Sequence, residues 1–134
     1  MNYIIAYIAT MVVFFAIDIV WITKVARGVY FKNLGHLLAK NMAFGPIALF
    51  YIMYIAGIVY FGIRPAIATG AVSTAFINGA LFGFFCYATY EFTNYATLKD
   101  WPVKVLVIDT IWGTVLTGTC AAAGYFIMSQ FTSG

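Results

Sequence analysis

The chain has 134 residues, of which 64% are hydrophobic and 8% charged, with a formal net charge of +3. Soluble domains carry about 25% charged residues, so there is too little polar side chain here to clothe a water-soluble fold of this length. The modest net charge gives no reason to expect a nucleic-acid partner, and the chain reads as an all-α integral membrane protein whose surroundings are the lipid bilayer.

A membrane-crossing helix needs about 20 mostly apolar residues. Residues 3 to 23 meet this requirement, interrupted by one charge, Asp18. No basic region precedes the run and no Ala-x-Ala-type site follows it, so it is expected to be retained rather than cleaved as a signal peptide. In the next stretch, residues 30 to 40, Tyr30, Leu34, Leu37 and Leu38 recur at helical spacing, while Lys32, His36 and Lys40 fall on the opposite face. This predicts a short amphipathic helix lying at the membrane interface, with its basic side chains near anionic headgroups. A solvated loop is the other reading.

Residues 42 to 63 form a second span without any charge, and Arg64-Pro65 is expected to end it. Residues 71 to 95 form a third, carrying Glu91. After the polar turn Lys99-Asp100-Trp101-Pro102, residues 103 to 129 form a fourth, carrying Asp109. Pro102 suits a helix start, where no backbone donor is needed. The whole chain, 1 to 134, is thus expected to form a single transmembrane domain: a four-transmembrane-helix bundle with one interfacial helix between the first two spans. Four spans enclose little space, so a homodimer is expected.

Basic residues orient the bundle. Lys24, Arg27, Lys32 and Lys40 lie between the first two spans, and Lys99 and Lys104 lie between the last two or just inside the fourth. Only Arg64 lies between the second and third. By the positive-inside rule both termini face away from the cytoplasm, which in a bacterial inner membrane makes them periplasmic. Cys86 and Cys120 fall inside spans and read as small buried hydrophobes rather than a disulfide. There is no phosphate-binding loop, no His-Glu-x-x-His, no Gly-x-Ser-x-Gly and no dinucleotide fingerprint.

Chemistry, if present, rests with the carboxylates. Three of the four acids fall inside spans, where ionisable groups are costly and usually face a bundle interior, a partner or a water-filled cavity. At about 1.5 Å per residue, Asp18 lies roughly 8 Å from the cytoplasmic end of its span, Glu91 roughly 6–9 Å and Asp109 roughly 9 Å. Three acids on three helices therefore share one depth. Asp18 has Trp21 three residues on, and Asp109 has Trp112 at the same spacing; Glu91 has Tyr87 four before it, Tyr90 beside it and Asn94 three after it. The same face of the third span runs through Gly83, Gly79 and Ala75, small residues that let another helix approach closely. Carboxylates this close cannot all stay ionised unaided, so they share protons or hold a cation. The competing reading is a purely structural trio, hydrogen-bonded to Tyr, Trp, Asn and Thr. His36 is more often a surface residue than a ligand, but from the interfacial helix it could join the acids.

The stretch Gly79-Ala80-Leu81-Phe82-Gly83, then Tyr87-Ala88-Thr89-Tyr90-Glu91-Phe92-Thr93-Asn94-Tyr95-Ala96-Thr97-Leu98 and Trp101-Pro102, resembles the signature of a bacterial membrane family. So do Asp18-x-x-Trp21, Leu34-Gly35-His36-Leu37 and Asp109-x-x-Trp112-Gly113-Thr114. That family is catalogued as domain of unknown function 2177, and the resemblance covers nearly the whole chain. It implies a four-helix bacterial inner-membrane protein and supplies no established activity. Glu91 stands where the family more often has Asp, which preserves the charge.

Two readings of function follow. In the first, Asp18, Glu91 and Asp109, walled by Trp21, Trp112, Tyr87, Tyr90 and Asn94, bind a proton or small cation in a transporter-like protein. In the second, an intramembrane enzyme or binding protein acts on a lipid-like or other apolar ligand, with one of the acids as general acid or base. An assembly subunit without chemistry stands behind both. Substrate, metal and cofactor are not legible.

Overall fold

The computed structural model describes residues 3–38 and 41–132. Lys40, expected at the end of the amphipathic segment, lies outside the described residues. All regular structure among them is helical. This is what hydrocarbon demands, since without water every backbone N–H and C=O must be paired within its own segment. Four helical runs are long and apolar enough to cross a membrane: Tyr3–Leu37, Phe44–Thr69, Val72–Thr97 and Val103–Phe131, here spans one to four in chain order.

Span one corrects the expectation of a separate interfacial helix. The chain stays helical past residue 23, through a π-turn at Ile22–Ala26, an α-helix over Arg27–Leu34 and a 3-10 turn at Gly35–Leu37. Residues 24 to 29 hold no proline and only one glycine, so nothing there stops a helix once it has started. The three leucines expected to share a membrane-facing side do not share an environment: Leu34 is 7% exposed, Leu37 47% and Leu38 43%.

Span two corrects a second expectation. Pro65 does not end the helix, which continues over Arg64–Thr69 and stops at Gly70 in the left-handed conformation, φ 71°. Proline removes one backbone donor and crowds the carbonyl four residues back. The turn that precedes it, Val59–Ile63, is a π-helix in which the Arg64 N–H donates to the Val59 carbonyl, one residue further back than in an α-helix. Widening the helix there makes room for the ring. Spans three and four match expectation to within a few residues. The turn between them places Asp100 at φ 64°, a region that Asp tolerates better than most residues, and the Leu106 N–H donates to the Pro102 carbonyl at 3.2 Å.

The core explains the arrangement. Phe14, Ile55, Ile58, Ile63, Leu116 and Met128 are fully buried and bring spans one, two and four together. Small residues bring span three against span four: a methyl group added to Gly79 would stand 2.6 Å from the Ala121 Cβ, and one added to Gly83 would run into the Gly113 carbonyl and Thr117. Backbones that approach so closely gain dispersion contact, which drives helix association where the hydrophobic effect does not act. Span two behaves differently along its length. Its buried residues begin at Tyr54, and residues 41 to 50 are exposed throughout. Its first two turns lean away from the bundle and leave a cleft beside span three.

Candidate functional site

Each of the three intramembrane acids accepts a hydrogen bond from an aromatic donor. The Tyr51 hydroxyl donates to Asp18 Oδ2 at 2.9 Å, the Tyr30 hydroxyl to Asp109 Oδ1 at 2.8 Å, and Trp101 Nε1 to Glu91 Oε1 at 2.9 Å. Glu91 is the most deeply placed, at 1% exposure. It is near enough to the Asp109 carboxyl on span four for the two groups to interact. Asp18 is near enough to Asp109 for the two charges to interact, but it faces Tyr51 on span two. The acids thus form a pair with a third member set to one side. Among the described residues, no group of three His, Cys, Asp or Glu side chains is placed to hold a metal ion.

The remaining expected residues divide by place. Trp21 and Trp112 stack on one another, with ring centroids 4.0 Å apart and planes 8° from parallel. The two Asp-x-x-Trp segments therefore meet through their indoles, and these tie span one to span four. Trp21 also meets Tyr30 edge-on, with ring centroids 6.2 Å apart, and the Tyr30 hydroxyl in turn donates to Asp109. Tyr87 lies flat against Gly113, where any side chain would strike its ring. Tyr90 makes an edge contact with Trp101, with centroids 6.0 Å apart, and Asn94, half-buried one turn on, accepts the Leu98 N–H at its backbone carbonyl at 2.8 Å. His36 is exposed on the Gly35–Leu37 turn.

A cavity of about 420 Å³ opens beside the acid pair, lined by Phe50, Tyr54, Cys86, Tyr87, Tyr90 and Asp109. A second hollow of about 450 Å³ shares Phe50 and Tyr54 with it and continues along Leu49, Met53 and Phe82. Together they form the cleft left where span two leans away. Its floor is aromatic: Tyr54 stacks on Phe82 and on Phe50 at 5.3 and 5.4 Å, and meets Tyr87 edge-on at 6.1 Å. The Tyr54 hydroxyl is held by Thr117 at 2.7 Å.

Sequence reasoning missed Tyr30, Tyr51, Tyr54, Phe50 and Trp101. Tyr30 was expected on a lipid-facing side, and Trp101 counted only as part of a polar turn. A tyrosine in an otherwise charge-free span was the available signal for Tyr51 and Tyr54, since a buried hydroxyl needs a partner.

No curated protein and no solved structure matches the chain. A family model described as "Predicted membrane protein (DUF2177)" matches residues 3–126, which include all three intramembrane acids and their aromatic donors. With four membrane-crossing helices and a match over nearly its full length, the chain is a multi-pass membrane protein that belongs to the DUF2177 family.

Proposed function

We propose that Glu91 and Asp109 form a proton-binding site, set toward the cytoplasmic side of a bacterial inner membrane, in a small transporter-like protein. The observation that carries this reading is a carboxyl, Glu91, almost fully buried on span three beneath a single Trp101 donor, with the Asp109 carboxyl of span four near enough to interact with it. Two carboxyls that interact in this way attract one another only when a proton lies between them. Among the described residues no three His, Cys, Asp or Glu side chains stand together as a ligand set, which supports a proton over a metal ion. Asp18, at longer range, tunes the pair by its charge.

Infrared titration of the purified protein tests this reading. Glu91→Gln is expected to change how Asp109 binds its proton, and Asp109→Asn to change Glu91 reciprocally, with Asp18→Asn giving a smaller effect. Strictly additive single and double variants would reduce the pair to two unrelated polar residues. In proteoliposomes carrying a pH-sensitive dye, Glu91→Gln should abolish any proton flux that the native protein supports.

The assigned side rests on the asymmetry of the sequence, with six Lys and Arg residues between the first two and the last two spans as read from the sequence, or just inside the fourth, against Arg64 alone between the second and third. A C-terminal alkaline phosphatase fusion is expected to be active and a fluorescent-protein fusion dark. The reverse pattern would move the acid pair to the periplasmic side. The second reading, action on an apolar ligand, draws on the aromatic cleft beside the pair.

A further inference from the structure

We infer that the cleft between spans two and three binds a lipophilic cation, an apolar ammonium or phosphonium molecule, with its charge at Asp109 and its apolar body against Phe50, Tyr54, Tyr87 and Tyr90. This deepens the proton-site reading and rests on it only in taking Asp109 as a carboxyl that can exchange its proton.

The chemistry of the walls identifies the ligand. The cavity lining holds four aromatic rings and a single charge, which is negative. Ring faces are electron-rich and attract a cation, most strongly where water is excluded. A carboxyl pair that shares one proton keeps one negative charge, matched to one positive charge on a ligand. A fatty acid or anionic lipid would place its headgroup against Asp109 and be repelled. A neutral ligand could at most donate a hydrogen bond to the carboxylate and would leave its charge uncompensated, which is costly at this depth. The volume, about 420 Å³, falls within the range of small-molecule sites, and the adjoining hollow of about 450 Å³ leaves room for an apolar tail or further rings. Access comes from the side of the bundle, because Phe50 and Tyr90 at the rim are 48% and 56% exposed. An apolar cation dissolved in the membrane can reach Asp109 from there without crossing water.

Equilibrium dialysis of tetraphenylphosphonium against the purified full chain in detergent is the test, with triphenylphosphine oxide as a neutral probe of similar ring content. Expected are saturable binding of the cation, weaker binding of the neutral probe, and competition of the cation with protons. Asp109→Asn should weaken the cation at least tenfold and leave the neutral probe unchanged. Phe50→Leu and Tyr90→Leu lie at the exposed rim, where folding does not depend on them, and should each weaken the cation several-fold. Binding no greater than in empty micelles, equal affinity for both probes, or an unchanged affinity in Phe50→Leu and Tyr90→Leu would overturn the inference. So would efficient disulfide cross-linking of Leu49→Cys chains that excludes the probe, which would make the cleft a dimer interface. Linked infrared titration of Glu91 and Asp109 together with failed cation binding would remove this inference alone. Unlinked titration would remove the proton-site reading beneath it.

Discussion

The two halves of spans three and four solve different problems with the same helices. In the half that runs from Ala75 to Gly83, glycines meet backbone and small side chains of span four, and Gly62 of span two stands close to Gly79 and Ala75. Beyond Gly83, Tyr87, Tyr90 and Glu91 replace the small side chains, and between them and Phe50 and Tyr54 of span two a cavity remains. The first half holds the bundle together by close approach. The second keeps a cavity beside Asp109, walled by Phe50 and Tyr54 of span two and by Tyr87 and Tyr90 of span three.

The largest effect is expected where the closed half is forced open. Gly83→Leu would drive a side chain into the Gly113 carbonyl and Thr117, and should destabilise the protein by about 3 kcal/mol or more. Denaturant unfolding in detergent would measure the loss; a stable Gly83→Leu protein would mean that the two spans can separate freely.

Next is the buried acid. Glu91→Ala leaves the Trp101 N–H without its acceptor and should cost about 2 kcal/mol, whereas Glu91→Gln keeps an acceptor and should cost much less. Equal losses in the two variants would show that the Trp101 bond contributes nothing.

The stacked tryptophans come third. A double-mutant cycle between Trp21→Leu and Trp112→Leu should report a coupling of about 1 kcal/mol, read from the same unfolding curves. Zero coupling would detach span one from span four at this level.

The smallest effect is expected in the open half. Phe50→Ala removes a ring that is half exposed and should change stability by no more than about 0.5 kcal/mol. A loss comparable to that of Gly83→Leu would erase the distinction between the halves.

How much of this was legible beforehand varies with the residue. Asp18, Glu91 and Asp109 stand out because charge inside an apolar run is rare. Gly79 and Gly83 stand out by their spacing. Tyr51 and Trp101 do not, because aromatics are abundant in this chain and only three-dimensional proximity selects the ones that serve as donors. Trp21 and Trp112 were legible as a repeated spacing, but not as a stacked pair. Amphipathic spacing over 30 to 40 suits a separate helix and an uninterrupted one equally well, and Pro65 resembles a stop because a π-turn leaves no mark in composition.

The sequence by itself determined four membrane-crossing helices, because apolar length and the cost of unpaired backbone in lipid are local properties that leave no other solution. It also determined which acids lie within the membrane. Only the tertiary structure decided that Glu91 comes near Asp109 while Asp18 turns to Tyr51, and that span two leans away to leave the cleft. Those outcomes depend on the rotation of each helix about its own axis and on the side-chain volumes that meet across it. Both are settled jointly by all four spans, and periodicity within one span carries no record of them.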